Sequence, residues 1–381
     1  MAKYKLGDIA PIRQGIGPDE FPCWLLNLDM VESNTGRIID YLYVQSDEIG
    51  ASTVAFDTRN VLYSKLRPYL NKVVLPDRPG FATSEMLPLM PDTTIITREY
   101  LTHFLRSPRF VGYINEKTSG AKMPRANTTD LKAVEIDCPT IERQKAIVGV
   151  FECLTRIIEL YQRQLCTLDT LIKARFVEMF GDPVVGDRIH GNRHKVGEFA
   201  SVTKLAGFEF TKYIQYRESG DIIMLRGLNC KSGHLVLDDI KWIDQETSDL
   251  LPRSKLFYGD ILMTYAGTIG EVAMVDADNK YHLAPNVGKI TIEDKEHYDP
   301  VYLMYLFMFS HDYIMTFASQ VAQASINMEK IRNFEYYFPS IDEQRSFAAF
   351  VSQVDKSKNV VQRVLERAQV MFDSLMQEYF G

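Results

Sequence analysis

The chain has 381 residues, is 46% apolar and 24% charged, and carries a formal net charge of −7. That length exceeds what one typical core fills and suits two or three domains, and the composition is that of an ordinary folded protein. The acidic balance argues against a simple basic nucleic-acid binder, the five cysteines contain no CxxC pair, and no apolar run approaches the roughly 18 residues of a membrane span.

The start, MAKYKLGDIAPIRQG, lacks the apolar core of an export signal, so a reducing cytoplasm with free thiols is the expected setting. KLGDIA (5–10) opens a first module. IIDYLYV (38–44), VLYSKL (61–66) and NKVVL (71–75) are rich in β-branched and aromatic residues and predict strands; TREYLTHFLRS (97–107) predicts a helix. The loop SGAKMPRAN leads into DLKAVEIDCP (130–139), and a long helical pattern runs from there to Gly181. After a polar linker the plan returns. KVGEFA (195–200) answers KLGDIA, DIIMLRGL (221–228) and EVAMV (271–275) predict strands, DPVYLMYLFMFS predicts a helix, and KIRNFEYYFP (330–339) leads into a second long helix.

The return is a true internal repeat. PTIERQKAIVGVF begins at Pro139 and PSIDEQRSFAAFV at Pro339, and the 200-residue offset holds through Ile141/Ile341, Gln144/Gln344, Gln162/Gln362, Arg163/Arg363, Leu165/Leu365, Glu178/Glu378, Phe180/Phe380 and Gly181/Gly381. Five segments follow: a module at 1–140, a helix at 141–181, a linker at 182–194, a second module at 195–340 and a second helix at 341–381. Each module reads as α+β with a curved sheet whose strand order the sequence does not reveal.

In the first helix Ile147, Phe151, Leu154, Ile158, Tyr161, Leu165, Leu168 and Ile172 recur at alternating spacings of four and three, with Arg175 breaking the run further on. Val351, Val354, Val361, Leu365 and Phe372 keep the same frame in the second, broken at Lys358. A sustained 3.5-residue repeat predicts a coiled-coil seam. Two similar halves pair most simply about a pseudo-twofold axis, which predicts antiparallel helices with a module at each end. Each helix would then span on the order of one and a half turns of duplex.

Catalytic signatures are scarce. GxxxxGK[ST] and GxGxxG are absent, and Asp182-Pro183-Val184 only partly matches an amino-methyltransferase loop. Ser119-x-x-Lys122 lacks the companions of a serine/lysine pair, His190 and His194 lack the HExxH glutamate, and Glu293-Asp294-Lys295 reads as a surface turn. No catalytic residue and no metal site are assigned.

Binding chemistry is better supplied. Arg59, Lys65, Arg67 and Lys72 cluster without an intervening acid, and Lys122, Arg125 and Asn127 occupy the loop before the first helix. The second half offers Arg226, Asn229 and Lys231, then Tyr265 and Thr268 in YAGTIG, then Gln323, Ser325 and Asn327 in QASIN. Cations reach phosphates, and Arg, Asn and Gln can pair with base edges. These fifteen residues are the candidate DNA contacts. Taken singly, each cluster would pass for a solvated surface; recurrence at matching places in both halves favours binding.

Two modules divided by long helices that open Pro-x-Ile-x-x-Gln resemble the DNA-specificity subunit of Type I restriction-modification systems. The segments VLYSKLRPYLNKV, FATSEMLPL, SGAKMPRANTTDLKAVEI, DILMTYAGTIGEVAMV and INMEKIRNFEYYFP, in that order, strengthen the resemblance, which covers nearly the whole chain. It implies a non-catalytic subunit with two target recognition domains, each reading half of an interrupted double-stranded DNA site whose gap the paired helices fix. It also implies two modification subunits that bind S-adenosylmethionine, restriction subunits that use ATP and magnesium, and no cofactor on this chain. A Type IIB-like enzyme, in which one partner both cuts and methylates, is the neighbouring alternative. A coiled-coil scaffold that never touches DNA is the more distant one.

Overall fold

A computed structural model describes residues 2–118, 120, 122–189, 191–319 and 324–381. The chain divides into two compact units, one built from residues up to Arg163 together with Val361–Gly381, the other from Gln164–Val360.

In the first unit, Cys23–Leu26 and Gly80–Thr83 form the parallel centre of a four-stranded sheet, flanked antiparallel by Leu42–Val44 and Thr53–Phe56. A second sheet runs Val73–Val74, Val61–Ser64, Met86–Leu89, all antiparallel. The second unit repeats this order. Lys241–Ile243, Ile222–Leu225, Tyr281–Leu283 and Lys255–Leu256 make one sheet with the same parallel centre. Val272–Met274, Ile261–Thr264 and Val287–Ile292 make the other, extended by Ala200–Lys204. In the first unit that last strand shrinks to a single bridge between Ile12 and Leu89. The larger sheets of each unit are thus two, beside small two-stranded pairs such as Ala2–Lys5 with Glu135–Cys138 and Arg193–Lys195 with Glu335–Tyr337, in place of the one curved sheet expected. The predicted module helices are Arg98–Arg106 and Pro300–Phe309. Among the described residues no helix is long and apolar enough to cross a membrane.

The two long helices are Ile141–Phe180 and Ile341–Phe380, 40 residues each. Their repeated opening has one physical purpose in both units. Gln144 is fully buried; its Oε1 accepts from the Thr97 amide at 2.8 Å while its Nε2 donates to Ile95 O at 2.7 Å and Pro139 O at 3.0 Å. Gln344 accepts from the Asp299 amide at 2.9 Å and donates to His297 O at 3.1 Å and Pro339 O at 3.0 Å. Thr97 and Asp299 are the N-caps of the module helices. Each glutamine therefore ties the start of a long helix to the start of the module helix beside it.

The repeated ending is equally specific. Phe380 packs in the first unit against Tyr100, Phe104 and Phe151, and Phe180 packs in the second against Phe176, Tyr302 and Phe347. Gly181 then takes φ 60°, the left-handed conformation that ends a helix cheaply only at glycine. Within the first unit Arg143 lies over Tyr379 and Phe151 over Phe372, so the two helix segments run antiparallel. Within the second, Phe176 meets Phe347 and Lys358 bonds Asp169 at 2.6 Å, again antiparallel. Phe151, Leu154, Val351, Val354 and Val361 are buried, and Ile158, Leu165, Leu168, Leu365 and Phe372 half-buried. Lys358, the break in the apolar run, spends its charge on Asp169.

His103 stacks on Phe151 with ring centroids 4.8 Å apart. Burial, with a smaller push from Arg106, lowers its pKa from the ordinary 6.5 to about 4. On acidification the unfolded chain takes up this proton near its ordinary pKa while the folded unit resists until about 4. Stability is full above the ordinary value and is lost as pH falls between the two. From pH 7 to pH 5 the first unit should lose about 2 kcal/mol from this group alone. His103→Phe, which keeps the ring stack, should flatten that slope in urea unfolding followed by hydrogen exchange of 98–106.

Candidate nucleic-acid interface

Four of the candidate contacts, Lys65 and Arg125 in the first unit and Tyr265 and Ser325 in the second, come together where three backbone segments meet. In the first, the Lys65 amide donates to Glu85 O, the Ala126 amide donates to Lys65 O, and Leu66 bridges Arg125. In the second, the Tyr265 amide donates to Asn286 O, the Ile326 amide to Tyr265 O, and Ala266 bridges Ser325. One backbone junction is therefore built twice, and it displays Lys65, Glu85 and Arg125 in one unit against Tyr265, Asn286 and Ser325 in the other.

The side chains at the first junction interlock. Glu85 takes Arg125 Nε at 3.2 and 3.3 Å and Nη2 at 3.1 Å, and Lys65 Nζ lies 4.0 Å away. The turn that follows carries Arg67 at φ 48°, where the second unit has Gly267 at φ 82°. A left-handed arginine is an uncommon, mildly strained residue, of the kind retained at functional turns. Its guanidinium is exposed and, among the described residues, meets no partner. Lys122 is exposed as well. Lys72 instead donates to Leu28 O at 2.7 Å, and Arg59 grips Asp57, holding that carboxyl well below the ordinary range. Asn127 caps the helix Thr128–Ala133 by accepting from the Thr129 amide.

In the second unit Lys231 and Thr268 are exposed, and Lys204 Nζ lies 5.1 Å over the Tyr265 ring. Asn327 caps Met328–Arg332, repeating the role of Asn127. Ser325 pairs through its backbone with Ser319. Arg226 is anchored on Asp239. Gln323, like Ser119 and His190, lies outside the described residues. One expectation is corrected: Asn229 is fully buried, accepts from the Arg226 amide and donates to Val236 O and Asp239 O. It shapes a turn and offers nothing to a ligand. The other motifs weighed earlier also resolve into local structure. His194 bonds Glu198, Asp182 caps a turn at Val184, and Asp294 binds the amides of Glu296 and His297.

Sequence reasoning missed Glu85, Asn286 and Lys204. Aligning FATSEMLPL with LAPNVGKI would have placed Glu85 and Asn286 at one position.

Residues 194–367 match the family model for the Type I restriction modification DNA specificity domain. Just under half of the chain is therefore similar to such a specificity domain. Over 135 residues it is 26% identical to the specificity subunit of the Type I restriction enzyme EcoDI of Escherichia coli, covering 35% of this chain and 30% of that one. Over 307 residues it is 22% identical to the EcoBI specificity subunit, also from Escherichia coli, covering 72% and 63%. The chain thus spans under two thirds of the length of either relative. Its fold is similar, at TM-score 0.65 and 16% identity over 100% of this chain and 97% of the other, to a chain solved in work on assembly and conformational transition of the type I R-M system. The matched stretch contains the whole junction of Tyr265, Asn286 and Ser325.

Proposed function

We propose that this chain is the DNA-recognition subunit of a Type I restriction-modification complex, itself without catalysis. Each unit reads one half of an interrupted double-stranded site through its junction loops, and the antiparallel long helices, packed as a coiled coil between two target recognition domains, set the gap. The observation that carries this reading is the junction built twice on one backbone with different side chains. Two readers of one design but different letters are what an asymmetric bipartite site requires. The specificity-domain match at 194–367 and the likeness to the two Escherichia coli subunits support it. Two modification subunits would bring S-adenosylmethionine, restriction subunits would bring ATP and magnesium, and the complex would work in the cytoplasm. Partners that help enclose the DNA also account for a reader with net charge −7.

The test is a single-molecule methylome of a methylation-free host carrying this chain with its modification partner, beside the partner alone. A two-part adenine-methylated motif appearing only with this chain is the expected result; the same motif without the chain would remove recognition as its task. Exchanging 201–335 for the corresponding stretch of another reader should change one half of that motif and keep the other. A change in both halves would contradict the division of labour.

A further inference from the structure

The reading above leaves open which side chain at the first junction selects a base. Arg125 is the one whose geometry is already fixed. A guanidinium has two usable edges, and Glu85 holds the edge formed by Nε and one hydrogen of Nη2, at 3.1–3.3 Å. The other edge, Nη1 with the second hydrogen of Nη2, is left for an outside acceptor; among the described residues nothing bonds Nη1. The Arg125 side chain is 45% exposed and that of Glu85 only 22%, so the guanidinium is the more accessible member of the pair. The backbone beneath is pinned from two sides, by the Leu66 bridge and by the Arg67 amide donating to Pro124 O.

An acid at a phosphate-facing surface costs affinity, so its presence needs a reason. Fixing the arginine's plane supplies one. Two parallel N–H donors match the O6 and N7 acceptors of guanine in the major groove, and no other base edge offers that pair of acceptors. A mobile arginine would be as content on a phosphate. Lys65, near the same carboxylate, offsets its charge. The second unit has no cation at the matching places, where Ser325 and Asn286 stand.

We propose that Arg125 reads a guanine in the half-site of the first unit, and that Glu85 is the positioning residue that makes it a reader. This rests on the DNA-recognition role proposed above.

The experiment uses the full chain in complex with its modification partner, carrying wild type, Glu85→Ala or Arg125→Lys. It compares methylated motifs and the binding of cognate duplex, of duplex with that guanine changed to adenine, and of unrelated duplex. The 201–335 exchange identifies the first unit's half-site. In both variants one guanine of that half-site should become degenerate, with preference over adenine falling roughly tenfold, while the other half-site stays intact. Glu85→Ala should also bind unrelated duplex more tightly than wild type, because a negative charge has left the surface; a merely loosened fold would bind all duplexes less well. Variants that keep every base of the first half-site fixed would overturn the proposal, as would relaxation at a base other than guanine or loss of both half-sites together. A wild-type complex with no two-part motif would instead overturn the recognition role beneath it.

Discussion

Phe380→Ala should unfold the wrong half of the chain, judged by sequence position. Phe380 lies near the end of the second repeat, yet its ring is buried in the first unit, with centroids 5.0 Å from Tyr100 and 5.9 Å from Phe151. Truncating a buried phenylalanine removes its transfer free energy and leaves a cavity, costing about 3–5 kcal/mol. The neighbours cannot collapse freely, because Tyr100 is held by its hydroxyl on Asp137 O and Phe104 is packed against Phe110. Hydrogen exchange should therefore quicken across 98–106 and 108–116 and stay at the wild-type rate across 300–309. Phe180→Ala should do the converse, since its ring lies against Phe176, Tyr302 and Phe347 in the second unit. Protection lost in the second unit on Phe380→Ala would mean that each repeat keeps its own helix end.

That exchange of helix ends marks a boundary of what the sequence discloses. The repeat was plain in it, including the phenylalanine–glycine pair at 180–181 and 380–381, because identity at a fixed offset requires no knowledge of contacts. Strand positions such as Val61–Ser64 and Ile222–Leu225 were legible from their β-branched and aromatic content. Strand order was not, because the parallel central pair joins residues far apart in the chain, such as Leu25 with Phe81 and Ile223 with Tyr281, and no local pattern encodes that. The candidate interface was half legible. Lys65, Arg67 and Arg125 stood out as cations among aromatics and small residues. Asn229 misled because a polar residue in a loop reads as surface, whereas the turn folds back to satisfy its amide internally. Glu85 was passed over for the opposite reason: an acid in a search for DNA contacts counts against binding until its arginine partner, forty residues away, is seen beside it.

The Gln344→Leu variant should cost the second unit on the order of 3 kcal/mol or more, although leucine is nearly the same size and the position is fully enclosed. The leucine leaves the Asp299 amide, His297 O and Pro339 O each without the partner they now have. An unsatisfied buried polar group costs roughly 1–3 kcal/mol, and three such groups outweigh the gain from one more apolar side chain. Gln144→Leu should act the same way on the first unit, through the Thr97 amide, Ile95 O and Pro139 O. Gln344→Glu separates the hydrogen-bond argument from shape. An ionised carboxylate can still accept from the Asp299 amide but opposes two carbonyls, so burial and those oxygens raise its folded pKa above the unfolded value. Its deficit should be smallest below the unfolded carboxyl pKa, where the protonated acid donates once, and should grow as pH rises through the folded value. Urea titrations of wild type, Gln344→Leu and Gln344→Glu at pH 5 and pH 7.5 would check this. A pH-independent gap between Gln344→Glu and wild type, or a leucine variant as stable as wild type, would show that packing at the helix start, and not the glutamine's three bonds, is what the Pro-x-Ile-x-x-Gln opening preserves.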